Sequence, residues 1–233
     1  MPYKKRKRIS NARIFARAAV SFLIFIAIYF LLSILLTAFV YLLYASGYIG
    51  YNNYNFLLDV AALLPLSIAV FVYMRLYKRM SLQKIKSALG FVPKGIAANV
   101  AIGILIFLVI LAFEIAVGLA SAATNVPINT NADLVFAGAP MWFYIFAAVI
   151  EPINEEIMFR GFLVPRLGVI LSALIFGAAH YSYYSTFGIE VIAAFIFGTM
   201  AGYVFKKKKS IYPGIVAHIL VNSLAVLALI GGI

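Results

Sequence analysis

The sequence predicts an all-α fold, a polytopic bundle of transmembrane helices. Three observations carry that reading. Apolar residues make up 65% of the 233-residue chain and charged residues only 11%, whereas a soluble domain runs near about 25% charged. The apolar residues fall in runs of about 20 or more, the length a helix needs to cross a bilayer. Lys and Arg cluster between those runs. A soluble globular domain and a disordered chain are both excluded by this composition. Cys is absent, which excludes disulfides, thiolate zinc sites, iron–sulfur clusters and cysteine nucleophiles.

The elements follow in order. Residues 1–17 form a basic segment holding Lys4, Lys5, Arg6, Lys7, Arg8, Arg13 and Arg17. Its outline is that of a signal peptide, but the apolar stretch behind it is far longer than a signal core. Residues 18–45 are therefore expected to be an uncleaved first span. A polar, aromatic loop covers 46–55, and span two covers 56–76 with Pro65 inside it. A basic segment follows with Arg75, Lys78, Arg79, Lys84, Lys86 and Lys94. Within it Leu82, Ile85 and Leu89 recur at helical spacing, which predicts a short interfacial helix near 81–89. Span three is 96–121, and the linker 122–137 carries Asn125, Pro127, Asn129, Asn131 and Asp133 without a basic residue. Span four is 139–164, span five 168–187, span six 188–205, and span seven 211–230 after the block Lys206 to Lys209. Gly198 and Gly202 in span six form a small-xxx-small stripe suited to helix packing. The chain thus divides into the basic segment 1–17, N-terminal helices 18–137, and polar-bearing helices 138–233.

About seven spans with a cytoplasmic N-terminus put seven, six, two and four basic residues in the successive inner segments, which is every Lys and Arg in the chain. Basic residues favour the cytoplasmic side, so the topology is N-in and C-out. The formal net charge of +12 then faces the anionic inner leaflet of a plasma membrane. The clusters read as topology signals and not as a nucleic-acid site.

Ionisable groups at membrane depth are costly and mark function. Asp59, Glu114 and Glu190 lie near outer span ends and are expected to reach interfacial water. Span four is different, for it contains Glu151, Pro152, Glu155, Glu156 and Arg160. Glu155 and Glu156 stand about 13 Å from the inner end, at ~1.5 Å per residue, close to the midplane. Glu156 and Arg160 at i, i+4 share a face in the favourable orientation. Glu155 points about 100° away with no counter-charge on its own helix. One paired carboxylate beside one unpaired carboxylate is a pattern that yields a general base. Pro152, one turn earlier, should loosen the helix, and Glu151 receives no role. The two histidines, His180 and His218, lie in spans five and seven at compatible depths, and His218 and Asn222 share one face.

Amide hydrolysis needs an activated water, a base and an oxyanion stabiliser. Glu155 with His180 can hold and deprotonate a water. His218 and Asn222 can donate to an oxyanion, while Glu156 with Arg160 sets the helix and the local field. A carboxylate and two histidines can also bind a divalent metal such as zinc, although the HExxH spacing is lacking.

These residues form three ordered motifs: EExxxR (Glu155, Glu156, Arg160), FxxxH (Phe176, His180) and HxxxN (His218, Asn222). The set resembles the signatures of the CPBP intramembrane protease family, which includes type II CAAX prenyl endopeptidases and bacteriocin-processing or self-immunity proteins. The resemblance covers about 139–230. It implies a helical membrane core with an active-site cavity open to the cytoplasm, acting on membrane-anchored, CAAX-like lipidated peptides or proteins. By the same resemblance Glu155 and His180 activate water, Glu156 pairs with Arg160, His218 and Asn222 form the oxyanion site, and no cofactor is needed, with a divalent metal as the alternative. Two other readings use the same residues. One is a non-catalytic immunity or partner-binding protein on this scaffold. The other is a small proton-coupled transporter, against which the absence of a visible repeat argues.

Overall fold

A long apolar run without proline or glycine gives the longest helix, α1 (Asn11–Ala45). The computed structural model describes residues 11–125, 136–184 and 188–231, with side chains from Val20 onward except 182–184. Residues 1–10 of the expected basic segment 1–17, most of the linker 122–137 and the boundary between spans five and six lie outside the described residues. Every regular element among the described residues is helical.

After α1 come α2 (Tyr51–Leu63) and α3 (Pro65–Val72), the latter ending in a π-helical turn, Tyr73–Tyr77. The short helix α4 (Leu82–Ala88) starts at Ser81, whose hydroxyl accepts from the Lys84 N–H. It buries Ile85 and Leu89 and leaves Leu82 exposed. Helix α5 is Ile96–Thr124. A continuous helical run follows, made of α6 (Met141–Ile145), a π turn (Phe146–Ile150), α7 (Glu151–Glu156), a second π turn (Ile157–Leu163) and α8 (Val164–Leu167). Helices α9 (Val169–Tyr184), α10 (Ile189–Lys208) and α11 (Tyr212–Gly231) complete the chain.

Five helical stretches are long and apolar enough to cross a membrane, against the seven expected: Val20–Ala45, Tyr51–Tyr77, Ile96–Thr124, Ile189–Lys208 and Tyr212–Gly231. The two that fall short are the expected spans four and five. The first carries Glu151, Glu155, Glu156, Arg160 and Arg166, and the second, α9, has 16 residues. Charge concentrates on the segment that bears EExxxR.

The helices pass back and forth between two chemically distinct ends. At one end Lys78 donates to the Ser21 hydroxyl at 3.2 Å, and the Ile211 N–H donates to the Gly90 carbonyl at 3.0 Å. This end gathers the 75–94 segment, Arg166 and Lys206 to Lys209. At the other end Asn52 donates to the Gly138 carbonyl and Trp142 to the Asn53 side chain. The outer faces of α1 and α5 expose Leu23, Ile34, Leu105 and Leu119 by 61–67%, an apolar surface suited to lipid. The motif-bearing run packs inside, with Phe25, Tyr73 and Phe162 in mutual ring contact.

Close approach between α5 and α11 depends on Gly103. A Cβ there would meet Val216 and the Pro213 carbonyl at 2.7–2.9 Å. Gly103→Ala should therefore destabilise the fold by about 1–3 kcal/mol, the usual range for overpacking. A thermal unfolding midpoint in detergent below that of the wild type checks this.

Candidate active site

The site grows out of an irregular helix. Glu151 donates its N–H to Phe146, five residues back, so the helix is widened just before Pro152. In that register residue 152 would bond to the Ala147 carbonyl, and proline has no N–H to give. The Asn222 amide, from α11, supplies the missing donor to Ala147 at 3.0 Å. Beyond the motif the second π turn closes through Val164 N–H to Phe159. The Ser172 hydroxyl adds a bond to the same carbonyl at 2.9 Å.

A second repair involves Asn154, which sequence reasoning passed over. In a regular helix the Ser67 N–H would bond to the Leu63 carbonyl. At the Pro65 break the Asn154 side chain stands between them instead. Its oxygen accepts from Ser67 at 2.9 Å and its nitrogen donates to Leu63 at 2.7 Å. Asn154 is 1% exposed. It therefore ties α2 and α3 to the residue next to Glu155. The available signal was a proline interruption in one span and a buried amide in another; their pairing across the fold is a tertiary fact.

Four charged or ionisable groups form a chain beside it. Arg160 Nη1 lies 3.0 Å from Glu156 Oε1. The same oxygen is 3.2 Å from His218 Nδ1. His218 Nε2 is 3.5 Å from Glu155 Oε2. Glu155, Glu156, Arg160 and His218 are all buried. The rest of the guanidinium meets no hydrogen-bond acceptor and lies over the faces of Phe176 at 4.3 Å and Phe197 at 4.9 Å, a cation–π contact. Gly214 packs against Glu156, and a Cβ there would collide with its carboxylate.

Both histidines were expected at the depth of the Glu pair, with His180 acting beside Glu155, and His218 contacts Glu155 in the structure. His180 instead places Nδ1 2.9 Å from the Phe176 carbonyl. A carbonyl can only accept, so Nδ1 carries the proton and the neutral ring keeps Nε2 as an acceptor. His180 still joins Glu155 and Asn222 in the lining of one cavity of about 480 Å³.

Asp59 and Glu151 line that cavity too. Asp59 was expected to be a solvated helix end, and Glu151 had no assigned role. Glu151 lies four residues before Glu155 and so on the same face, a signal that the sequence did contain. Phe136 and Leu229 also line the cavity. It therefore extends toward the end without lysines, whereas the resemblance implied an opening at the basic, cytoplasmic end. Glu114 and Glu190 line a smaller cavity of about 160 Å³ behind His180 and Asn222. Glu190 stands in the first turn of α10, where the helix dipole favours an anion, and both its oxygens are buried without a hydrogen-bond partner.

Residues 137–224 match the family model described as type II CAAX prenyl endopeptidase Rce1-like. This part of the chain is thus similar to the Rce1-like family, in keeping with the resemblance to the CPBP family. The matched stretch contains all seven motif residues, from Glu155 to Asn222. No curated protein and no solved structure matches the chain.

The donors do not fit a metal as they stand. Among the described residues no group of three or more His, Asp and Glu side chains is gathered as a metal site requires. Both His218 nitrogens face carboxylates, and His180 Nδ1 is taken by a backbone carbonyl.

Arg160→Ala leaves Glu156 buried without its cation and should cost about 3–5 kcal/mol of stability. Asn154→Ala leaves the Ser67 N–H and the Leu63 carbonyl unpaired and should cost about 2–4 kcal/mol, at ~1–3 for each orphaned group. Thermal unfolding of both variants in detergent, compared with wild type, measures these losses.

Proposed function

We propose that the protein is an intramembrane endopeptidase that hydrolyses peptide bonds of membrane-anchored substrates, including lipidated CAAX-like ones, with a water activated by Glu155. The carrying observation is the placement of Glu155 in one cavity with His180 and Asn222 inside the stretch that matches the Rce1-like family model. A buried carboxylate, a histidine with a free acceptor nitrogen and an amide donor are the parts amide hydrolysis needs.

In this reading Glu155, with His180 Nε2, takes a proton from a water whose oxygen attacks the scissile carbonyl carbon. The negative charge moves to the carbonyl oxygen. Asn222 stabilises it through the amide hydrogen not used on Ala147, with His218 beside it. The C–N bond then breaks, and the proton held at Glu155 passes to the leaving amine. Glu156 and Arg160 do not touch substrate; they hold the helix and His218. No metal is used in this reading, which the two His218 nitrogens support, since both face carboxylates. The rest of the cavity wall, with Leu63, Leu66, Met158, Phe159 and Val226, is apolar and suits a lipid chain or an apolar peptide segment.

The N-terminus is cytoplasmic in this account and the membrane is a plasma membrane. The gathering of Arg166 and the lysines at one end supports that orientation under the inner-leaflet charge bias.

The test is cleavage in proteoliposomes of membrane-anchored and lipidated peptides, read by mass spectrometry. Glu155→Ala and His180→Ala should each lower turnover by about 10²- to 10⁴-fold, the range for loss of a general base, while wild-type cleavage survives a chelator. Cleavage by Glu155→Ala at the wild-type rate would sink the assignment. Activity lost to chelator and restored by zinc would move the chemistry to a metal.

A further inference from the structure

A third cavity, of about 600 Å³, lies at the basic end, away from the candidate active site. Its lining includes Ser87 and Ala88 from α4, Pro165 and Gly168 from the turn after the motif-bearing run, and Lys206 and Lys209 from the end of α10. No acidic residue lines it. Among the described residues neither lysine has an ion-pair partner.

The walls are held in place. Leu89 is fully buried and stands against Gly161, where a Cβ would come within 3.0 Å of it. The Ile211 N–H bonds to the Gly90 carbonyl at 3.0 Å, tying the α4 turn to the α10–α11 turn. A Cβ on Gly90 would strike the Phe205 ring. Gly168 precedes α9, a helix of 16 residues.

Lys209 adds an independent observation. It caps α10 with φ of 56° and donates its N–H to Phe205 at 2.8 Å. That left-handed position is where glycine is ordinarily found, because a side chain there is strained. Lys209 holds this position and lines the cavity.

We propose that this cavity binds the phosphate group of an anionic lipid headgroup. Lys206 and Lys209 supply the positive charge, and Ser87 lines the same wall. The site lies where helices end, so a headgroup reaches it while its acyl chains stay along the exposed apolar faces. This binding does not depend on the proposed hydrolysis.

The test uses the full chain, purified in detergent and in nanodiscs of phosphatidylcholine with or without phosphatidylglycerol. Native mass spectrometry reads retained lipid, and thermal unfolding reads stabilisation. The wild type should retain phosphatidylglycerol over phosphatidylcholine. The double variant Lys206→Ala/Lys209→Ala should bind it about thirtyfold more weakly, at ~1 kcal/mol per lysine. Lys207→Ala/Lys208→Ala removes the same charge from the same helix and should keep the preference. Lys209→Gly should unfold at a higher temperature in phosphatidylcholine, since strain is relieved, and still lose phosphatidylglycerol. Equal loss in the two double variants would mean unspecific attraction to a charged surface and would overturn the site. Inorganic phosphate that stabilises the detergent-purified protein, without any preference for phosphatidylglycerol, would overturn the lipid assignment in favour of the free anion.

Discussion

The ion pair between Glu156 and Arg160 is the contact on which the rest of the site depends. Two charges in an apolar bundle are tolerated when they are paired. Five elements surround this pair. The α7 helix and the π turn after it carry the pair at 3.0 Å. Helix α9 brings Phe176 and α10 brings Phe197 to the guanidinium faces. Helix α11 brings His218 to the carboxylate and Gly214 to its flank. The ion pair thus determines where His218 sits, and His218 in turn meets Glu155. A structural pair and a chemical group are linked through one imidazole.

The backbone around the pair is irregular, and the repairs come from side-chain amides. Proline interrupts two helices, at Pro65 and Pro152. Each break leaves backbone groups that water cannot reach in a membrane. Asn154 bridges one and Asn222 the other. Both asparagines belong to helices that carry motif residues, so the repairs also set the relative depth of the helices around Glu155. The cost of the irregular backbone is met by the contacts that align the site.

Much of this was legible in the sequence, because it depends on spacing within one helix. The pairing of Glu156 with Arg160 follows from a four-residue interval on a helical face. The common depth of Glu155, His180 and His218 follows from rise per residue, and the short helix α4 from Leu82, Ile85 and Leu89. What spacing does not contain is the rotation of one helix against another. That rotation decides that His218, and not His180, meets Glu155. It also turns Asp59 into the cavity wall and pairs Asn154 with a backbone break 87 residues away. The expected span four, where the site concentrates its charge, is not among the five described helices that are long and apolar enough to span.

The central claim is a division of labour between adjacent carboxylates, with Glu156 holding the structure and Glu155 serving the chemistry. Parallel measurement of unfolding midpoint and peptide cleavage for Glu155→Gln and Glu156→Gln tests it directly. The account predicts that Glu155→Gln keeps the wild-type midpoint and loses cleavage. Glu156→Gln should lose stability and cleavage together, since Arg160 is then buried without its counter-charge. A Glu156→Gln protein as stable as wild type, or a Glu155→Gln protein that still cleaves, would contradict it.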